Sequence, residues 1–131
     1  NPQNMIRKTN YDDMLKEIIK YFSKKINQAV SYKINDMIID PGFGFAKDLK
    51  QNYDLLSNID LLKILDKPIM VGISRKSMIY QSLKTNAKES LNGTTVLNTV
   101  SLIKGASILR VHDVKEANEC IKLISALNNQ G

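Results

Sequence analysis

Two side chains that could hold an anion, Arg110 and His112, stand two residues apart in the segment Ser107–Val114. Successive side chains of a β-strand point to opposite faces, so these two share one face while Leu109 and Val111 share the other. A guanidinium is costly to bury without a partner, and it holds phosphate through two parallel hydrogen bonds. We therefore predict a phosphate-like ligand at the carboxyl end of this strand, where parallel α/β sheets bind ligands.

A carboxylate stands at the end of another apolar segment, Met37–Asp40, which is stopped by Pro41. Proline cannot donate to a β-ladder. The loop that follows, Gly42–Lys47, contains two glycines, which let a backbone approach a ligand closely, and two phenylalanines, which supply apolar walls. Asp40 could be a ligand-binding group, or it could serve only as a turn former before Pro-Gly.

A third group follows the predicted strand Pro68–Ile73, in which Gly72 leaves room on the interior face. The next residues, Ser74–Ser77, combine hydroxyls and cations at the start of a helix, where backbone amides bind anions. An ordinary solvated helix start is the alternative interpretation. Likewise, Arg110 could pair with an acid and His112 could be structural. All three groups fall at strand ends, however, and unrelated structural roles would not readily share that position.

The elements that must position these groups alternate along the chain. An amphipathic helix is predicted over residues 11–31, strands over 37–40, 68–73 and 108–112, and later helices over 49–63, 78–80, 87–104 and 114–127. Asp113 and Glu116 have the spacing of a capping box for the last helix. Alternating strands and helices predict parallel pairing. Because the polar strand ends suggest a site larger than three strands can enclose, we expect part of a barrel.

Composition narrows the class of protein. The chain has 131 residues, 43% of them hydrophobic, and no apolar run long enough for a membrane span. We expect no secretory leader in the polar opening Asn1–Asn4. The single cysteine, Cys120, excludes an internal disulfide and fits a cytoplasmic protein. The net charge of +6 could indicate nucleic acid, but the lysines are dispersed and aromatic residues are few, so neither nucleic acid nor membrane is expected as a partner.

Three segments resemble motifs of bacterial dihydropteroate synthase, in that family's order and spacing: Asp40–Lys47, Gly72–Met78 and Leu109–Val114. The opening Asn1–Met5 also looks like the family segment after its fifth strand, so the resemblance covers the whole chain. It implies the C-terminal half of a TIM (β/α)8 barrel, namely strands six to eight with their helices around a parallel sheet. Residues 1–131 are then the C-terminal portion of one pterin-binding domain whose N-terminal half is absent.

The resemblance also implies a reaction of folate biosynthesis. The family condenses 6-hydroxymethyl-7,8-dihydropterin pyrophosphate with p-aminobenzoate, giving dihydropteroate and pyrophosphate. Asp40 matches the aspartate on the pterin's amino-pyrimidine edge, where a carboxylate accepts two N–H donors. Lys76 matches the lysine on the pterin's carbonyl side, and Phe45 matches an aromatic residue near both substrates. Gly44, in the same loop, belongs to the implied substrate-binding set.

The same resemblance assigns the anionic groups. Ser77 matches the position that receives the p-aminobenzoate carboxylate, with Arg75 beside it in the implied substrate-binding set. Arg110 and His112 match the pair that holds pyrophosphate, and with Lys76 they form the implied catalytic set. Mg²⁺ is implied as a cofactor, bound mainly through the pyrophosphate and through residues absent from this chain. Sulfonamides, which imitate p-aminobenzoate, are implied as competitors.

Two departures from the family pattern limit what this chain does alone. Ala46 replaces a residue that is often glycine, which is a small change. More importantly, nothing matches the N-terminal half, which supplies further pterin contacts and an asparagine near the metal. We therefore expect the chain to be inactive alone and to form a homodimer or bind a completing partner. The competing hypothesis is a non-catalytic α/β domain that binds anions such as phosphate.

Overall fold

A computed structural model describes residues 2–44 and 46–130, with side chains from residue 13 onward within those ranges. The described helices are α1 (Pro2–Ser31), α2 (Leu49–Ser57), α3 (Ser77–Ser82), α4 (Leu91–Ile103) and α5 (Val114–Asn128). The strands are β1 (Met70–Val71) and β2 (Ile108–Leu109), and 3₁₀ turns cover Ile59–Leu65 and Ala87–Glu89. No helix in the described residues combines the length and hydrophobicity that crossing a bilayer requires.

The sheet is small and parallel. Met70 of β1 lies opposite Ile108 of β2 in parallel register. On the other side of β1, Ile39 forms a parallel bridge with Ile69, and Ile39 O accepts the N–H of Met70 at 2.7 Å. The segment that contains β1 is therefore central, which confirms the predicted parallel pairing.

The strands are shorter than predicted. The segment 37–40 retains only the bridge at Ile39, and the segments 68–73 and 108–112 contract to two residues each. In the described part of the chain, each outer segment has a hydrogen-bonding neighbour on one side only. Hydrophobicity predicts burial, but a ladder also needs paired N–H and C=O groups. Ile38 shows the consequence, since 53% of it is exposed.

The helices are largely as predicted, with altered boundaries. The first begins at Pro2 instead of residue 11, because proline suits the first position of a helix. The predicted helix 49–63 is interrupted at Asn58, whose side chain donates to the backbone oxygen of Asp54 at 3.0 Å. Such side-chain bonds compete with regular helical bonding. Helix α4 starts at Leu91, after a separate 3₁₀ turn.

The core lies between the sheet and helices α1 to α3. Its fully buried side chains include Phe43, Leu55, Ile59, Leu62, Ile69, Val71, Ile73, Met78 and Ile79. Helix α4 has the opposite arrangement, because its buried side chains are polar: Thr94, Asn98 and Ser101. Its apolar Val96 and Ile103 are exposed. Helix α4 therefore presents apolar side chains on its outer surface as well.

Candidate functional site

The carboxyl ends of the three strand segments meet at one edge of the sheet. Asp40 follows the bridge at Ile39, and Gly72 and Arg110 follow the paired strands β1 and β2. The structure brings four predicted site residues together here, and we call them the strand-end cluster: Asp40, Lys76, Arg110 and His112.

An ion pair crosses this edge. Arg110 Nη1 donates to Asp40 Oδ2 at 2.7 Å, between residues 70 positions apart. The side chains are 54% and 33% exposed, and pairs this accessible to water contribute roughly 0–1 kcal/mol. The guanidinium lies over Gly72, where an added Cβ would stand 2.3 Å from Arg110 Nη2. The space predicted at Gly72 is thus occupied by Arg110, and the partner of this arginine is a carboxylate of the same chain.

His112 is oriented by Ser74. Ser74 Oγ lies 2.8 Å from His112 Nδ1 and accepts the backbone N–H of His112 at 3.2 Å. Ser74 is buried at the end of β1, whereas His112 is exposed. This contact links the loop after β1 to the loop after β2 and fixes one edge of the imidazole.

Lys76 reaches across to the glycine-rich loop. Its Nζ donates to the backbone oxygen of Phe43 at 2.7 Å. Burial lowers the pKa of Lys76 below its ordinary value, and the neighbouring charge of Arg110 lowers it further, while Asp40 opposes both effects. The Lys76 ammonium therefore interacts electrostatically with Arg110 and Asp40, and it also supports the loop through its bond to Phe43.

Arg75 makes intramolecular contacts in place of an open anion site. Its Nε and Nη2 donate to the two carboxylate oxygens of Asp113 at 2.9 and 3.0 Å. Its Nη1 donates to the backbone oxygens of Ala87 and Lys88, at 2.8 Å each. The residue has a φ of 55°, and its backbone N–H donates to Thr94 Oγ1 at 3.0 Å. These contacts use four of the five N–H donors of the guanidinium.

Asp113 does not cap the last helix, so the predicted capping box with Glu116 is wrong. No side-chain cap bond is formed at this helix start, because both carboxylate oxygens accept from Arg75. Those hydrogen bonds raise the pKa of Arg75 and lower the pKa of Asp113. Asp113 and Glu116 have the spacing of a capping box, but the Asp113 carboxylate binds the Arg75 guanidinium instead of the helix amides.

The glycine-rich loop is held by Asn52, a buried residue of α2. Asn52 Oδ1 accepts the N–H of Gly44 at 2.8 Å, and Asn52 Nδ2 donates to the backbone oxygen of Asp48 at 3.0 Å. Gly44 has a φ of +90°, a conformation that favours glycine. Its N–H is thus used within the protein. Phe45, the predicted aromatic wall, lies outside the described residues.

Ser77 is the first residue of α3, and Lys76 precedes it without a side-chain cap bond. The predicted helix start is confirmed here. The N-terminal amides of a helix carry partial positive charge, which suits a carboxylate.

Two residues that position the site were not identified from the sequence: Asn52 and Thr94. Of these, Asn52 carried a usable signal, since it falls beside Leu49, Tyr53 and Leu56 on the apolar face of its helix. A polar residue on such a face needs a hydrogen-bond partner. The hydroxyl group of Thr94 carried no such signal.

The enclosed space beside the cluster is small. A cavity of about 150 Å³ is lined by Gly72, Ser74, Lys76, Arg110, Val111 and His112. Ligand pockets for drug-sized molecules are commonly about 300–1,000 Å³. The volume of this cavity lies below that range.

A divalent cation would find few ligands here. Within the described residues, no group of three His, Cys, Asp or Glu side chains is placed to hold a metal ion. Mg²⁺ prefers oxygen ligands in near-octahedral geometry. The carboxylate of the cluster, Asp40, is already paired with Arg110. The side chains described here do not fit a Mg²⁺ site of their own.

Comparison with known proteins places these motifs in context. The family model described as "Pterin binding enzyme" matches residues 1–112. A relative from Escherichia coli (strain K12), named dihydropteroate synthase, is 38% identical over 128 residues, which are 96% of this chain and 45% of the relative. The chain thus spans about half the length of the curated relatives that it matches.

Solved structures give the same picture. Dihydropteroate synthase from Yersinia pestis, in a sulfonamide drug complex, superposes with a TM-score of 0.86 at 35% identity, covering 89% of this chain and 43% of that one. The Coxiella burnetii dihydropteroate synthase in complex with pteroic acid superposes with a TM-score of 0.87 at 30% identity, covering 92% and 46%. Both alignments cover most of this chain and less than half of its neighbours.

Proposed function

Because the chain belongs to the pterin binding enzyme family, we propose that it forms the C-terminal half of a dihydropteroate synthase. In this proposal, residues 1–131 contribute strands six to eight of a TIM (β/α)8 barrel, with their helices, to a single domain. The reaction is the condensation of 6-hydroxymethyl-7,8-dihydropterin pyrophosphate with p-aminobenzoate in the cytoplasm. The parallel order of the strand segments supports this assignment.

The observation that carries the proposal is the grouping of Asp40, Lys76, Arg110 and His112 at one strand end. Asp40 binds the amino-pyrimidine edge of the pterin, which presents two N–H donors to a carboxylate. Lys76 contacts the carbonyl side of the same ring. Gly44 and Phe45 are proposed to contact the substrates.

Arg110 and His112 bind the pyrophosphate, where positive charge and N–H donors stabilise the departing anion. Departure of the anion leaves a pterin cation that the arylamine of p-aminobenzoate attacks, and the arylamine then loses a proton. Ser77, at the start of α3, receives the p-aminobenzoate carboxylate. The site acts by positioning and by charge stabilisation. Arg75, which is held by Asp113, stays in the proposed substrate-binding set beside Ser77.

Mg²⁺ would shield charge on the pyrophosphate in the complete enzyme. No step of the proposal is routed through the ion, since the described side chains of this chain do not form a site for it. Binding and orientation of the substrates are what these residues supply.

The chain alone is proposed to be inactive, because it corresponds to only 45% of the Escherichia coli relative's length. We expect no dihydropteroate from the 131-residue chain in a condensation assay, whereas joining it to the N-terminal portion of the Escherichia coli relative restores product. Normal turnover by the chain alone would contradict the proposal that it carries only part of the active site.

A homodimer through the outer faces of α4 and α5 is the proposed assembly. Val96 and Ile103 of α4, and Leu123 and Leu127 of α5, are all more than half exposed, and exposed apolar patches mark interaction sites. Leu123→Asp should shift the chain toward monomer in sedimentation equilibrium. Leu61→Asp, a change at an exposed leucine of the first 3₁₀ turn, is the control and should not.

Titration calorimetry with the pterin pyrophosphate tests the substrate assignment. Binding should be lost on Asp40→Asn. It should be retained on Asp60→Asn, which changes an exposed carboxylate in the first 3₁₀ turn, outside the strand-end cluster. Sulfonamide should compete only with p-aminobenzoate in the completed enzyme. The alternative, an anion-binding domain without catalysis, predicts binding of phosphate compounds that is indifferent to Asp40. The match to dihydropteroate synthases does not favour that alternative.

A further inference from the structure

The hydrogen bonds around Ser74 determine which nitrogen of His112 carries the proton. Ser74 is 5% exposed, so its hydroxyl depends mainly on partners within the protein. Its oxygen already accepts the backbone N–H of His112 at 3.2 Å. Within the described residues, His112 Nδ1, at 2.8 Å, is the acceptor available to the hydroxyl hydrogen. A buried donor without an acceptor is costly, so Ser74 donates and Nδ1 accepts.

A neutral imidazole has one donor nitrogen and one acceptor nitrogen. Since Nδ1 accepts from Ser74, the proton resides on Nε2, at the opposite edge of the ring. His112 lines the same small cavity as Arg110 and Lys76, and the described residues offer Nε2 no hydrogen-bond partner. The ring therefore presents an N–H donor beside two cationic groups. The other tautomer would present a lone pair, which repels an anion.

We propose that Ser74 is a positioning residue that holds neutral His112 as its Nε2–H tautomer, so that Nε2 donates to a diphosphate group. The role of His112 toward diphosphate rests on the proposed function. The tautomer itself rests only on the contacts of Ser74. Ser74 touches no substrate in this scheme and acts through the imidazole alone.

A purely structural role for Ser74 is the competing explanation. Its two contacts tie the loop after β1 to the loop after β2, and this tie would stabilise the fold with either tautomer. The two explanations differ in a spectroscopic property, namely the protonation of each ring nitrogen. His112 is the only histidine of the chain, so nitrogen NMR of the ¹⁵N-histidine-labelled chain observes one imidazole.

The experiment compares the wild-type chain with Ser74→Ala, Ser74→Thr and Ser107→Ala, at a pH where the imidazole is neutral. We expect the Nε2–H tautomer in the wild type and in the Ser107→Ala control. Threonine retains the hydroxyl and should retain the tautomer, whereas Ser74→Ala should give a mixture. An Nδ1–H tautomer in the wild type, or an unchanged tautomer in Ser74→Ala, would overturn the role of Ser74. If Ser74→Ala does not fold, loss of the Nε2–H tautomer in Ser74→Thr or an Nδ1–H tautomer in the wild type would overturn the proposal, and its retention in both would support it.

Titration with inorganic pyrophosphate tests the ligand separately. We expect the Nε2 resonance to shift on binding, and the affinity to fall about tenfold in Ser74→Ala, the loss of one well-placed hydrogen bond. An Nε2 resonance that does not respond to saturating pyrophosphate would overturn the diphosphate role and the proposed function together. That result is distinguishable from a wrong tautomer, which overturns only the role of Ser74.

Discussion

Arg110 is bonded to Asp40 across Gly72, so two residues with opposite proposed ligands neutralise each other. The guanidinium is proposed to bind pyrophosphate, and the carboxylate is proposed to bind the N–H edge of the pterin. A substrate carrying both groups exchanges one ion pair for two contacts. The exposure of the pair makes this exchange inexpensive, since exposed pairs contribute little to stability.

The first prediction concerns Arg110→Gln, which removes the charge of this pair. We expect the free energy of unfolding to change by less than about 1 kcal/mol. Pyrophosphate affinity should fall about ten- to a hundredfold, because hydrogen bonds to charged groups are worth about 1.5–3 kcal/mol. Urea unfolding and calorimetry measure the two quantities. Lys50→Gln breaks the exposed Lys50–Asp54 pair of α2 and is the matched control; an equal loss of affinity there would contradict a specific role for Arg110.

Gly72→Ala is expected to damage the site more than the fold. The added Cβ meets the end of the flexible Arg110 side chain, which can move away from Asp40. Gly93→Ala is the comparison, because its Cβ would stand 2.6 Å from Ile79 Cγ2 in the core. Overpacking there should cost about 1–3 kcal/mol of stability with little effect on pyrophosphate affinity. The opposite pattern in thermal unfolding and calorimetry would show that Gly72 serves packing.

Asn52→Ala should destabilise the protein by about 1–3 kcal/mol, since it leaves the N–H of Gly44 without its acceptor. The loop 42–47 should then exchange its amide hydrogens faster. Chemical denaturation and hydrogen exchange provide the measurements. Asn92→Ala, at an exposed position of α4, should change neither. If the amide hydrogens of loop 42–47 exchanged at the same rate in Asn52→Ala, Asn52 would not anchor the loop.

The Arg75–Asp113 pair predicts a pH dependence of stability. Arg75 lowers the pKa of Asp113 in the folded state below the ordinary value of 3.8. The contribution of this carboxylate to stability is therefore complete above that value and is lost as the pH falls through the lower folded pKa. The stability difference between wild type and Asp113→Asn should be largest near neutral pH and shrink below about pH 4. Urea unfolding across this range measures it, and a constant difference would exclude the linkage.

Local sequence patterns identified the residues of the strand-end cluster. Each signal came from neighbouring residues. The signals were the alternation along Ile108–His112, the Pro-Gly stop after Asp40 and the helix start at Ser77. Strand lengths were overestimated, because hydrophobicity reports burial and not the number of paired backbone groups. The break at Asn58 was missed, since the apolar period continues through it to Ile59.

The sequence by itself determined which side chains stand at the ends of the strand segments, because side-chain alternation and turn chemistry act over a few residues. Only the tertiary structure decided which partner each of them has. Arg110 meets Asp40 across 70 positions, and Arg75 meets Asp113 across 38. Those pairings follow from the parallel register of the strands, which long-range packing sets. For that reason the sequence could not show that Arg75 and Arg110 are each paired with an acid of the same chain.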